Sequence, residues 1–131
     1  MHKILIVEDK RDVRNLLRLT LPFDEFQTRE ADNGADALPL IRDWHPDLVL
    51  LDILMPGSMN GLDVCREVKG DQQLRDILVI LLTALGQKSD IENGTATGAD
   101  AYIVKPFSPS ELLAVVRHLL KTRNPSQVGL Q

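Results

Sequence analysis

The spacing of apolar residues changes period several times along this chain. Lys3 to Val7 is a short apolar run without polar alternation, the pattern of a strand buried on both faces. From Asp12 onward, apolar residues fall at Val13, Leu16, Leu17, Leu19 and Leu21, a helical spacing that Pro22 ends. Phe26 to Glu30 predicts a weak second strand, followed by a turn at Asn33-Gly34. Ala35 to Trp44 predicts a helix that Pro39 should kink or shorten, because proline removes a backbone donor. Asp47 to Leu51 is a third strand, and a loop rich in Pro, Gly, Ser and Asn runs from Met55 to Gly61. A third helix then places Leu62, Val64, Cys65 and Val68 on one side. Ile77 to Leu82 is the fourth strand and the most apolar of all. Gln87 to Gly98 predicts a fourth helix, opened by a capping box at Ser89 and Glu92 and diluted by Asn93-Gly94-Thr95. Ala101 to Val104 is the fifth strand. Ser108-Pro109-Ser110-Glu111 starts a fifth helix, with a cap, a first-position proline and a third-position glutamate. Leu112, Leu113, Val115, Val116, Leu119 and Leu120 form its buried face. Residues 1–121 thus form one domain, and Thr122 to Gln131 reads as a polar tail or the start of a linker.

Strands alternating with helices predict an α/β fold whose parallel sheet is covered on both faces. Right-handed crossovers favour a doubly wound arrangement. Ligands in such folds bind at the carboxyl ends of the strands. Composition is compatible with this: 131 residues, 44% apolar and 26% charged, suit one ordinary globular domain. The one cysteine, Cys65, excludes an intramolecular disulfide. The longest apolar run, Ile77 to Leu82, is six residues, too short to span a bilayer. Ile4 to Val7 meets Glu8 and Asp9 too early for a signal peptide, so a cytoplasmic protein with no membrane partner is expected. A net charge of −4 and a pI of about 5.3 argue against direct nucleic-acid binding by this domain.

The strand ends carry the candidate chemistry. Strand one ends at Glu8-Asp9, strand three at Asp52, strand four at Thr83-Ala84 and strand five at Lys105-Pro106. Singly, each residue reads as a turn residue, strand filler or solvated surface. Together, three carboxylates on one sheet edge repel one another unless a cation joins them. Hard oxygen ligands select Mg²⁺, which leaves room for a phosphoryl group. One carboxylate can then act as nucleophile toward phosphorus. The lysine offsets charge on the phosphoryl oxygens and the threonine hydroxyl can donate to them.

This pattern resembles the receiver domain of two-component response regulators, the CheY-like superfamily, from Lys3 to about Lys121. The motifs are Val7-Glu8-Asp9, Leu50 to Gly57, Leu82-Thr83-Ala84 and Gly98 to Phe107. The resemblance implies a flavodoxin-like (βα)5 fold with strand order 2-1-3-4-5. It implies that Asp52 is the phosphoacceptor, with Glu8, Asp9, Asp52 and the Leu54 backbone carbonyl holding Mg²⁺. Thr83 and Lys105 match the phosphoryl-binding pair, Thr83 and Tyr102 the switch pair, and the Lys105-Pro106 bond is expected cis. The implied function is a switch that accepts a phosphoryl group from a sensor histidine kinase or phosphotransfer protein. The face built by the fourth helix, fifth strand and fifth helix then changes its binding to a downstream protein, or to a fused output domain beyond Gln131. Such a domain catalyses only its own aspartyl phosphorylation and dephosphorylation.

The loop after Asp52 is one residue longer than the commonest family form. Leu54 and Leu85 stand where polar side chains can position an attacking water, so slow autodephosphorylation is expected. The weak fourth helix is expected to be loosely formed before phosphorylation. Val115 replaces an arginine frequent in the dimer face of winged-helix regulators, so a monomer or a weak phosphorylation-dependent dimer is expected. A dehalogenase-like phosphatase needs a second acid where Leu54 stands. A flavodoxin-like cofactor site is opposed by Glu8-Asp9, which would repel phosphate. The remaining alternative is a receiver-like module that binds partners without phosphorylation. His2, His45 and His118 have no metal-site spacing, and Asn93-Gly94-Thr95 is a glycosylation sequon by pattern only.

Overall fold

The computed structural model describes residues 1–84 and 96–128, with side chains described as far as Arg123. Its elements are β1 (His2–Val7), α1 (Arg11–Thr20), β2 (Phe26–Ala31), α2 (Gly34–Trp44), β3 (Leu48–Asp52), α3 (Gly61–Gly70), β4 (Leu78–Ala84), β5 (Ala101–Lys105) and α4 (Pro109–Val128). The helix α4 is the fifth helix expected from the sequence. The expected fourth helix, its Ser89–Glu92 capping box, Leu85 and the Asn93 sequon lie mainly or wholly outside the described residues.

All strand pairs are parallel, in the order β2-β1-β3-β4-β5. Successive strand side chains point to opposite faces, so the continuous apolar runs supply two cores. On one face Leu5, Val7, Val49, Leu51, Val79 and Leu81 pack with Ile41 of α2 and Val64, Cys65 and Val68 of α3. On the other, Ile4, Ile6, Leu50, Ile80, Leu82 and Ile103 pack with Leu17 of α1 and Leu112 and Val116 of α4. The edge strand β2 buries only Phe26 and Ala31, which is why its sequence signal is weak. This double winding brings the carboxyl ends of β1, β3, β4 and β5 to one edge of the sheet.

Three local expectations are corrected. Pro39 does not shorten α2, which runs through it from Gly34 to Trp44. Pro39 and Ala35 both face solvent, so water can satisfy the carbonyl that the proline leaves without a donor. Asn33-Gly34 is a helix start rather than a turn: the Asn33 side chain accepts from the Asp36 amide at 2.8 Å. Third, helix continues to Val128, past the tail boundary expected at Thr122. Arg123, expected in that tail, holds Asp47 by its carbonyl and its carboxylate, both at 3.1 Å. Polar residues can extend a helix when its charges find partners across the fold, and an apolar pattern does not register that.

Candidate functional site

Each site residue is placed by the strand that delivers it. Directly after β1 comes the fully buried Glu8, whose amide donates to Ala31 O at 3.1 Å and so prolongs the ladder to β2. β3 ends in Asp52, buried between the β1 and β4 chain ends. The Ile53 amide donates to Leu82 O at 3.1 Å, holding the chain in sheet geometry one residue past the carboxylate. β4 delivers Thr83, and β5 delivers Tyr102 and Lys105.

Glu8, Asp9 and Asp52 each present a carboxylate oxygen, and the three oxygens lie within 4.8 Å of one another. One amine joins two of these acids: Lys105 Nζ is 2.9 Å from Glu8 Oε1 and 3.1 Å from Asp52 Oδ1. Burial alone would pull the Lys105 amine down. Its hydrogen bond to Glu8 and the charge and hydrogen bond of Asp52 outweigh that and hold its pKa above the ordinary value. Lys105 is therefore charged throughout the neutral range. The second Glu8 oxygen accepts from the Lys10 amide at 3.1 Å.

Three buried oxygens remain without a hydrogen-bond partner among the described residues: Asp9 Oδ1, Asp52 Oδ2 and Thr83 Oγ1. Orphaned polar atoms are costly in a folded interior, and clustering them on one edge marks a place for an incoming group. A hard divalent cation fits this donor set, because two of the three orphans are carboxylate oxygens. Leu54, expected to lend a carbonyl, lies beside the site and is 62% exposed. Tyr102 is 46% exposed, turned out of the core. The Lys105-Pro106 bond is cis.

The lengthened loop keeps both of its feet on the site. The Gly61 amide donates to Ile53 O at 2.9 Å, and a Cβ on Gly61 would lie 2.1 Å from the Asp52 carbonyl oxygen. A Cβ on Gly34 would meet the Met59 carbonyl at 2.6 Å. Helix starts pack this tightly on the loop only because both residues are glycine. The loop tip, Pro56-Gly57-Ser58, stands in solvent, and Gly57 takes φ +96° with open space around it. These glycines and Arg14, which contacts the carbonyls of Glu8 and Asp9, were not visible as site residues in the sequence. The Asn60–Asp63 capping box at the start of α3 is a signal that the sequence does carry.

Other suggestive residues are structural. Cys65 is buried, and burial pushes its thiol pKa up. The Thr97 hydroxyl donates to Cys65 Sγ at 3.2 Å. His45 closes α2 in a left-handed conformation with φ 52°. Among the described residues no helix is long and apolar enough to cross a membrane.

Residues 4–117 match the response regulator receiver domain family. The chain belongs to this family. It is 42% identical over 125 residues to a probable transcriptional regulator, ycf27, of Cyanophora paradoxa, covering 95% of this chain and 51% of that one. It is 41% identical over 119 residues to the DNA-binding response regulator MtrA of Mycolicibacterium paratuberculosis, covering 91% and 51%. The receiver domain thus spans about half the length of the curated relatives it matches. Among solved structures, a putative response regulator from Chloroflexus aurantiacus superposes with a TM-score of 0.86 at 34% identity, over 92% of this chain and 98% of that one. The signal receiver domain of a histidine kinase from Syntrophus aciditrophicus gives 0.86 at 37% identity, over 100% and 95%. The fold is the CheY-like one, and the receiver domain's role lies in two-component signalling.

Proposed function

We propose that this receiver domain is a phosphorylation-dependent switch in which Asp52 takes a phosphoryl group from a phosphohistidine on a sensor histidine kinase or phosphotransfer protein. The observation that carries this reading is the convergence of three carboxylates, two of them bridged by Lys105, with two carboxylate oxygens and one hydroxyl left without a partner among the described residues. Asp52 Oδ1 is engaged by Lys105, which leaves Oδ2 as the nucleophile. Its lone pair forms the new O–P bond while the P–N bond of the donor breaks, and the electron pair leaves with the imidazole nitrogen. Lys105, held protonated, faces the charge that develops on the transferring group. Thr83 Oγ1 is a buried donor without a partner among the described residues, and it could donate to an incoming phosphoryl oxygen.

Glu8, Asp9, Asp52 and the Leu54 carbonyl are the groups that would hold Mg²⁺. When bound it would supply positive charge to the phosphoryl oxygens and end the mutual repulsion of the acids. Engagement of Thr83 would draw β4 toward the phosphoryl group, and the exposed Tyr102 on the neighbouring strand is free to follow. Altered binding of a downstream protein or a fused output domain is the consequence. In this reading the domain would catalyse only its own phosphorylation and dephosphorylation. With an apolar residue at Leu54, loss of the phosphoryl group is expected to be slow.

Intact mass after incubation with acetyl phosphate tests this. One phosphoryl group should be added, dependent on Mg²⁺ and absent from Asp52→Asn. An adduct that survives Asp52→Asn would refute the assignment of Asp52. No adduct from acetyl phosphate or from a phosphohistidine donor would favour a module that signals by binding alone.

A further inference from the structure

The acid pair at the end of β1 has to be held against its own repulsion, and one side chain outside the carboxylate cluster does this. Arg14 Nη1 is 2.9 Å from the Glu8 carbonyl oxygen and 3.2 Å from the Asp9 carbonyl oxygen. Its Nε is 3.2 Å from Glu30 Oε1 on the neighbouring strand β2. The guanidinium is thus fixed on one side by the sheet and grips the β1–α1 loop with the other. Its side chain is 18% exposed, far less than the 46% of Arg18 one turn later. Arg18 shares Glu30, at 3.3 Å from Oε2, but no bond joins it to the acid carbonyls among the described residues.

We propose that Arg14 is a positioning residue for divalent-cation binding, acting through the backbone of Glu8 and Asp9. The inference rests on the reading that Glu8, Asp9 and Asp52 bind Mg²⁺. Arg14 bonds the carbonyls rather than the carboxylates, so it orients the acids without consuming their ligand oxygens. Asp9 Oδ1 has no partner among the described residues although the Arg14 guanidinium sits on the same residue's carbonyl. A planar guanidinium can serve Glu30 and two carbonyls at once, and an ammonium on a flexible stem cannot hold that geometry. Groups that orient metal ligands typically contribute about 10- to 100-fold to affinity.

Titration calorimetry with Mg²⁺ alone, on the full chain, tests this. Arg14→Ala should raise the dissociation constant by about 10-fold or more. Arg14→Lys keeps the charge and is expected to recover less than half of that loss on a logarithmic scale. Arg18→Ala removes an equal charge and a Glu30 partner, and should leave Mg²⁺ affinity within about twofold of the parent, the scatter expected of exposed pairs. Hydrogen exchange in metal-free protein adds an independent readout: the Lys10 amide, which donates to Glu8, should exchange faster in Arg14→Ala than in Arg18→Ala. If Arg14→Ala does not fold, Arg14→Lys decides: parental Mg²⁺ affinity and parental Lys10 exchange would overturn the proposal. So would folded Arg14→Ala with parental affinity, or equal losses in Arg14→Ala and Arg18→Ala. A parent that binds Mg²⁺ but takes no phosphoryl group would overturn the phosphoacceptor reading and leave this one standing. A parent that binds no Mg²⁺ would remove both.

Discussion

The two edges of the sheet treat charge in opposite ways. At the amino edge, charges are matched. Asp47 accepts from the Lys3 amide at 2.7 Å and from Arg123 at 3.1 Å. Asp100 accepts from Lys69 and from the Val79 amide, each at 2.8 Å. Glu25, in the loop before β2, meets Arg117 through two bonds of 2.6 and 3.0 Å. At the carboxyl edge three acids cluster, only Glu8 and Asp52 of them share Lys105, and three buried oxygens have no partner among the described residues. One edge is satisfied and contributes to holding the fold. The other stores repulsion that an incoming cation and phosphoryl group can relieve, so stability and function occupy opposite ends of the same strands.

The largest expected effect comes from breaking the frame of the carboxyl edge. Gly61→Ala puts a methyl into the Asp52 carbonyl and should destabilise by about 3 kcal/mol, measured by urea unfolding. The same substitution should depress phosphorylation in whatever fraction stays folded. Asp100→Ala breaks the amino edge instead. It removes the carboxylate that Lys69 and the Val79 amide share, leaving Lys69 only the Arg75 and Ile77 carbonyls, and should cost about 2 kcal/mol while Mg²⁺ affinity stays at the parental value. A loss of Mg²⁺ affinity in that variant would show that the edges are coupled.

Asp9→Asn inverts the sign. Metal-free protein should gain about 1 kcal/mol, because one like charge leaves the cluster. The rise in Tm that Mg²⁺ gives the parent should disappear. A fall in metal-free Tm would mean that the acids are not in repulsive contact. The smallest effect belongs to the exposed pair Glu25–Arg117. Its hydrogen bond to Arg117 holds the Glu25 pKa below the ordinary 4.5. The contribution is therefore present above pH 4.5 and lost as pH falls through the lowered folded-state value. Arg117→Ala should unfold at slightly lower temperature than the parent at pH 7. The two melting curves should converge in acid, below that folded-state value.

Fold class and site residues were legible for one reason. Buried parallel strands must be continuously apolar, so the first polar residues after Val7, Leu51, Leu82 and Val104 mark where each strand leaves the core. Edge strand β2 was faint because one face of it meets solvent. Pro39 and Arg123 misled because local rules do not see exposure or partners across the fold. Pro39 is tolerated on a solvated face, and Arg123 extends the ordered helix through Asp47, 76 positions earlier in the chain.

The sequence by itself determined the alternation of elements, the two apolar faces of each strand and the kinds of group at each strand end. Those follow from side-chain chemistry and short-range periodicity. Tertiary structure alone decided that Glu8, Asp9 and Asp52 converge within 4.8 Å, that Lys105 bridges Glu8 and Asp52 while the Thr83 hydroxyl has no partner among the described residues, and that Arg14 reaches two carbonyls. These contacts join residues up to 97 positions apart. Strand order and close packing against glycines set them, and no local pattern encodes either.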